Sequence, residues 1–484
     1  MKEKSLIKNA GYNIIRTFST LIFPLITFMY ASKILMPSGI GKIEFAKSFV
    51  LYFTLLASLG INSYGVREAA CVRNKIEKLS KLVHELTLIN MVTTVFTYIL
   101  FFFVISNIDK LKEYNDILML FSLNIIFCTL GFEWLFIALE EYRYITIRTI
   151  VCQIVSLLIL FFFVKQSDDY LWYTLVLLIS SVGANIMNIF LVKKFVVFKP
   201  LGEYNFKRHL KPLFLIFIMI MANNLYSYID PIIIGFLAGD EEVGLYVAGL
   251  KVNRIVINIL GAIGAVVMPR LALLWAQDAK DEFYKITNTI FDIILMLAIP
   301  CCIGLYFLSK EIIILFCGNL FLPAVSTMQM LIPIIIFLSL STFLNMHILI
   351  PMNREKIVLE SLVCGLVINV VLNFLLIPVY GRNGSALGTV CGELVVLMFS
   401  ALYMKNNKLI DKIYCFQNLH QYLIGGILVA SSCELVKFIS SNNMIILILS
   451  VLLSTLAYGT LLAILKNDNF NFIYNKILAK MRRR

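Results

Sequence analysis

Unbroken apolar runs dominate the chain, among them residues 294–308 (ILMLAIPCCIGLYFL) and 444–465 (MIILILSVLLSTLAYGTLLAIL). Such runs fix the class of fold before anything else. Hydrocarbon offers no partner to backbone N–H and C=O groups, so a spanning segment must satisfy its own as a helix or join a closed barrel. Barrel strands alternate polar and apolar side chains over about ten residues, and these runs do not alternate. The chain therefore reads as an all-α polytopic membrane protein. Composition agrees, since 60% of the residues are hydrophobic and 15% charged, against about 45–50% and 25% in soluble domains.

A helix needs about 20 residues to cross the hydrocarbon. Charge clusters and Gly, Pro and Asn breaks divide the chain into about 14 such spans. They are 10–33, 42–64, 83–106, 116–139, 145–165, 170–192, 212–238, 243–269, 286–308, 325–350, 357–378, 384–404, 421–441 and 443–465. A formal charge of +13 would point to nucleic acid in a soluble protein. In a membrane chain it reads as Lys and Arg retained in cytoplasmic connections, so no nucleic-acid partner is expected. Placing both termini in the cytoplasm gives an inside-to-outside ratio of roughly four to one, with Arg143 and Arg148 counted in the inside connection 140–148. Four cations remain within spans: Arg16, Lys47, Lys251 and Arg254.

The longest inside connection, the basic linker 193–211, separates an N-lobe (1–192) from a C-lobe (212–404), each of six spans. Residues 405–484 add a C-terminal helix pair and a basic tail. GIGKIEFAKS at 39–48 and VGLYVAGLK at 243–251 open the second and eighth spans and echo one another, which supports two pseudo-symmetric lobes of the kind transporters build from repeats. The cysteines lie mostly inside apolar runs without CxxC spacing and read as reduced packing thiols. Arg16 and the lack of a small-residue cleavage site argue against a cleaved signal peptide.

An ionisable group at bilayer depth costs about 2.5–3.5 kcal/mol on insertion scales, so such residues face an aqueous cavity or a partner. Asn9, Asn13, Arg16, Thr20 and Thr27 form one stripe on the first span. Glu44, Lys47 and Ser48 mark the second span, Asn223, Tyr226, Ser227 and Asp230 the seventh, and Lys251, Arg254 and Asn258 the eighth. At about 1.5 Å per residue, Arg254 lies roughly 16 Å below the outer end of its helix. Arg16, Lys47, Lys251 and Arg254 on corresponding spans describe a positive cavity for an anion, and pyrophosphate suits guanidinium and ammonium groups. Each has a plainer alternative. Arg16 and Lys251 can snorkel to a surface, Lys47 can pair with Glu44 at i, i+3, and Arg254 can pair with Asp230.

Asn369 and Asn373 share one helix face, and with Thr389 and Asp230 they could form an oxygen cage for Na⁺, or Asp230 could carry a proton. The alternative is helix bridging by the asparagine amides. Glu133, Asp292, Glu360 and Glu393 are further acids in or near spans, where interface positions or pairing with loop cations are the alternatives. GxSxG, HExxH, GxxxxGK[ST] and GxGxxG are absent, and the four histidines are scattered. No enzyme, catalytic residue, cofactor or structural metal is expected.

The block from "IFPLITFMYASKILMPSGIGKIEFAKS" onward, together with "FEWLFIALEEYRYITIR", "DPIIIGFLAGDEEVGLYVAGLKV", "VVMPRLALLWA" and "NREKIVLESLVCGLVINVVLNFLLIPVYGRNGSALGTVCGELVV", resembles the O-antigen (oligosaccharide repeat-unit) flippases. These form the polysaccharide transporter family of the multidrug/oligosaccharidyl-lipid/polysaccharide exporter superfamily, and the likeness spans about residues 5–404. It implies a bacterial inner-membrane carrier that moves a polyprenyl-pyrophosphate-linked oligosaccharide to the periplasmic leaflet by alternating access. Its implied neighbours are membrane lipid, a polysaccharide polymerase and a chain-length regulator. Likeness to lipid II flippases implies cavity cations at Arg16, Lys47 and Arg254, and a Na⁺ site at Asp230, Asn369, Asn373 and Thr389. Met36 and Ala138 stand where relatives are expected to carry glycine. Asn373 stands where lipid II flippases tend to have a carboxylate, which leaves Asp230 as the only acid of the implied cage and both Na⁺ and H⁺ coupling open. The competing expectations are a multidrug/cation antiporter of the same superfamily and a membrane polysaccharide polymerase.

Overall fold

The computed structural model describes residues 6–199, 202–407, 409 and 418–471, and its regular structure is entirely helical. In chain order the helices are α1 (Leu6–Ser58), α2 (Ile61–Val72), α3 (Ile76–Asn107), α4 (Asp109–Lys112), α5 (Asn115–Leu130), α6 (Glu133–Ala138) and α7 (Tyr142–Phe163). There follow α8 (Tyr170–Leu178), α9 (Ala184–Leu191), α10 (Lys207–Leu237), α11 (Asp240–Ala276), α12 (Lys280–Phe307) and α13 (Ser309–Cys317). The last are α14 (Ala324–Leu331), α15 (Pro333–Thr342), α16 (Glu355–Tyr380), α17 (Arg382–Asn406), α18 (Leu419–Ile439) and α19 (Asn443–Ile464).

Among the described residues, 12 helical stretches are long and apolar enough to cross a membrane. The first of them, Lys8–Val72, runs through both the first and the second expected span. Met36 divides it with φ 62 and ψ 172, a left-handed conformation that side chains rarely tolerate. This is one of the two positions where the sequence departs from the glycine expected of its relatives, so the bend is kept without the residue that would make it easy. The fourth expected span, 116–139, is shared between the shorter α5 and the six-residue α6. Length and hydropathy alone therefore do not return the count of about 14. Two single π turns, Ile179–Gly183 between α8 and α9 and Phe343–Leu349 after α15, interrupt otherwise straight spans. Such turns insert an extra residue into the i to i−4 ladder.

Packing divides the chain into two compact units, Met1–Gly244 and Leu245–Arg484. The N-terminal unit takes α10, which packs on α1. Its core gathers Tyr64, Leu82, Trp134, Leu135, Phe136, Ile145 and Leu213 from α2, α3, α6, α7 and α10. Gly65 allows the indole of Trp134 to lie against the α2 backbone, where any Cβ would meet the ring at 2.6 Å. The basic connection 193–211 is fastened here. Glu85 of α3, fully buried, accepts from the backbone N–H of Asn205 at 2.8 Å, from Arg208 Nη2 at 2.7 Å and from His209 Nε2 at 2.9 Å. Tyr64 completes the chain at His209 Nδ1.

The C-terminal unit has its own core of Phe283, Phe291, Phe343, Tyr422 and Leu462. Here the C-terminal helix pair is pinned to α12 by a carboxylate: Asp292 accepts from Tyr422 Oη at 2.6 Å, from Asn418 Nδ2 at 3.0 Å and from the amide of Asn469. Lys437 of α18 donates to the carbonyl of Phe307 and lies 3.8 Å from Glu311 and 3.4 Å from Glu434. It therefore reaches α12 and α13 as well as its local acid.

Gly41 and Gly244 lie close together within the N-terminal unit. A Cβ on Gly41 would overlap the carbonyl of Asp240, and a Cβ on Gly244 would overlap the carbonyl of Pro37. Backbone lies against backbone with no flexible side chain to yield. We predict that Gly41→Ala or Gly244→Ala lowers stability by at least about 2 kcal/mol through overpacking. Gly11→Ala, with nothing within 4 Å, should be neutral or stabilising by up to about 1 kcal/mol. Thermal unfolding followed by fluorescence-detected size exclusion checks the contrast.

Candidate functional site

Two arginines of the N-terminal unit converge on one carboxylate. Arg16 lies on α1, and its Nη2 is 2.5 Å from Glu133 Oε1 at the start of α6. Arg148 Nη2 approaches the same oxygen at 3.7 Å from α7. Arg16 is therefore tied across the bundle to α6 instead of snorkelling to a surface. Glu133, one of the secondary acids singled out from sequence, is its partner.

Arg148 corrects the charge map drawn from sequence, which placed it in the connection 140–148. Helix α7 begins at Tyr142, six residues earlier, and buries Arg148 to 2% exposure among the largest enclosed side chains of the protein. Its Nη1 donates to the carbonyl of Ala184 at 2.9 Å and faces Asn185 Oδ1 at 3.4 Å, and its guanidinium lies over the Tyr144 ring at 5.7 Å. The signal was present in the helical phase. Ile145, Arg148, Cys152, Ser156 and Leu160 follow steps of three and four and are all buried.

An open groove of about 470 Å³ lies between α1 and α7. Ile15, Phe18, Ile22, Ile150 and Ile154 line it, and its polar members are Ser19 and Gln153, joined by a 2.7 Å hydrogen bond. The same two helices carry Arg16 and Arg148, which do not line it. Elsewhere in this unit Lys47 pairs with the buried Glu44 one turn earlier on α1, and Asp230 is 4% exposed on α10, just before Pro231.

The remaining residues singled out from sequence belong to the C-terminal unit. Lys251 and Arg254 stand half-buried on α11. Asn369 and Asn373 are buried on α16, where Asn373 Nδ2 donates to Asn369 Oδ1 at 3.2 Å. Gly388 of α17 gives them room, since a Cβ there would come within 3.0 Å of Asn373 Oδ1. The next residue, Thr389, shares a 3.0 Å hydroxyl contact with Tyr246 and donates to the carbonyl of Ser385. The two asparagines thus bond along one helix. Glu393 is buried one turn further along α17, and Asp292 is taken up in holding α18 and the residues after α19, as described above. Asp230 lies in one unit, and Asn369, Asn373 and Thr389 lie in the other.

Comparison with known proteins extends this geometry. The family described as polysaccharide biosynthesis protein matches residues 6–275. A protein named "Putative O-antigen transporter" from Shigella dysenteriae is 24% identical over 386 residues, which covers 78% of this chain and 94% of the relative. A protein of the same name from Escherichia coli K12 is 22% identical over 420 residues, covering 84% and 98%. Among solved structures, the lipid II flippase MurJ in an inward closed conformation aligns over 95% of this chain and 99% of its own, with a TM-score of 0.74 and 16% identity. That likeness is one of fold.

Burial separates Arg148 from the surface cations. Truncating a large, fully enclosed side chain leaves a cavity and here also takes the donor from the Ala184 carbonyl, whereas exposed ion pairs contribute about 0–1 kcal/mol. Arg148→Ala should therefore lower stability by about 3 kcal/mol. Arg67→Ala, which loses an exposed contact with neighbouring Glu68 and the placement of its guanidinium over the Tyr64 ring, should change it by about 1 kcal/mol or less. Parallel thermal unfolding of the two purified variants in one detergent tests the ranking.

Proposed function

The chain belongs to the polysaccharide biosynthesis protein family, and from that membership we propose that it is a flippase for lipid-linked polysaccharide precursors. Its cargo in this reading is a polyprenyl-pyrophosphate-linked oligosaccharide repeat unit. It moves from the cytoplasmic to the periplasmic leaflet of the bacterial inner membrane, for O-antigen or capsule synthesis. The relatives named as O-antigen transporters support the cargo class.

The observation that carries the reading is the convergence of the Arg16 and Arg148 guanidinium groups on Glu133, from two helices that also form an apolar groove. Arginine presents a planar fork of donors that matches phosphate oxygens. An apolar trough on the same helices suits a polyprenyl chain. A diphosphate joined to an isoprenoid is the cargo that presents both features in one molecule. The protein's task in this reading is to lower the barrier for moving a charged, sugar-bearing headgroup through hydrocarbon, with no bond made or broken. A proton carried by the buried Asp230 is the proposed coupling.

Cells that depend on this protein should accumulate cytoplasm-facing lipid-linked sugar when they carry Arg16→Ala or Arg254→Ala, and export of surface polysaccharide should fall at least about tenfold, the effect of losing roughly 1.4 kcal/mol of headgroup binding. Inverted membrane vesicles probed with an impermeant sugar oxidant measure the sidedness directly. Wild-type flipping in both variants overturns the assignment of these cations to the cargo.

A further inference from the structure

The cluster at Glu133 is not charge-balanced. Two guanidinium groups lie within 4 Å of one carboxylate oxygen, so among the described residues the three side chains carry one net positive charge. Exposure is graded: the Arg148 side chain is 1% exposed, that of Arg16 25% and that of Glu133 34%. The cation that is sealed is also fixed from behind, through Ala184 and Asn185. The carboxylate sits at the open end, on a six-residue helix flanked by Phe132 at φ 46 and Glu140 at φ 57.

A carrier has to reset without cargo. During that step the cations that held the headgroup would stand alone in a low-dielectric interior, and unpaired buried charge is strongly unfavourable. Something inside the protein must then take the place of the departing anion. A diphosphate has more oxygens and more charge than a carboxylate, and so it can fill the fork of Arg16 in a way that Glu133, through a single oxygen, does not.

We propose that Glu133 is the resident counter-ion of the transport site: it pairs with Arg16 and Arg148 in the empty carrier and is displaced from Arg16 by the diphosphate of the cargo. The inference rests on the flippase reading above. Glu133 competes with cargo for the accessible guanidinium of Arg16, which weakens binding and permits the empty return. It is a positioning residue, because it acts on the cargo through the arginines.

The test uses the full-length protein in lipid nanodiscs and proteoliposomes, with undecaprenyl pyrophosphate as the probe. Glu133→Gln should bind the probe about tenfold more tightly than wild type, the equivalent of roughly 1.4 kcal/mol. In proteoliposomes it should retain exchange of probe between leaflets preloaded on both sides while losing most net transport from one side. Glu133→Asp keeps the charge and should retain the wild-type ratio of net transport to exchange. If the glutamine variant does not fold, Glu133→Ala removes the same charge and carries the same expected readout. Unchanged or weaker probe binding in the neutral variant overturns the proposal, as does loss of net transport with exchange retained in Glu133→Asp. The flippase reading fails separately, if wild type binds undecaprenyl pyrophosphate no better than undecaprenol. If wild type prefers the diphosphate, Arg16→Ala abolishes that preference and Glu133→Gln behaves as wild type, only the counter-ion role is lost.

Discussion

Every feature of this protein follows from placing a peptide backbone where water is absent. In hydrocarbon each N–H and C=O must find its partner within the segment, which is why the apolar runs become helices and why departures from the helix are few and local. Met36 at φ 62, the π turns at 179–183 and 343–349, and the left-handed residues around α6 are among the places where the ladder is interrupted. Each lies within or beside a span and re-aims the segment that follows. The bend at Met36 turns α1 into two arms, and Phe132 and Glu140 confine α6 to the short segment that carries Glu133.

The same absence of water sets the terms for charge. A group that cannot be solvated has to be paired, and the protein pairs its interior cations in different ways. Lys47 is closed off by Glu44 on its own helix, a local arrangement that any helix can make. Arg16 and Arg148 are paired at long range, through α6, to a carboxylate that belongs to neither helix. The buried acids Glu85 and Asp292 serve differently again, drawing several donors onto one carboxylate and so attaching a connection and the C-terminal helix pair to the body of their units. Carboxylates are thus the organising groups, although cations outnumber them in the sequence.

Much of this was legible in the residues and some was not, for physical reasons. Period and length reveal a spanning helix because they are local properties, so the apolar runs correspond to helices almost throughout. The bend at Met36 was not legible as a bend, because the usual marker is glycine and a methionine stands there. Arg148 was misplaced because a cation near a span end is ordinarily a loop residue, and only the buried stripe of α7 shows otherwise. Pairing across elements depends on tertiary approach. The polar stripe of the first span singled out Arg16, and nothing in the spacing of positions 16, 133 and 148 announced that they share an oxygen. The amides of Asn369 and Asn373 were placed on one face correctly, and their mutual bond along α16 is the local geometry that i, i+4 spacing allows.

The contact between Gly41 and Gly244 has a further meaning. Each presses against the backbone beside the other, so hydrogen is the largest substituent that either position admits. Because the opposing atoms are backbone, no smaller neighbouring side chain can make room for a bulkier residue at either place. The seam therefore cannot be repaired by compensation nearby, and two positions some two hundred residues apart in the chain are held to the same small residue by one contact.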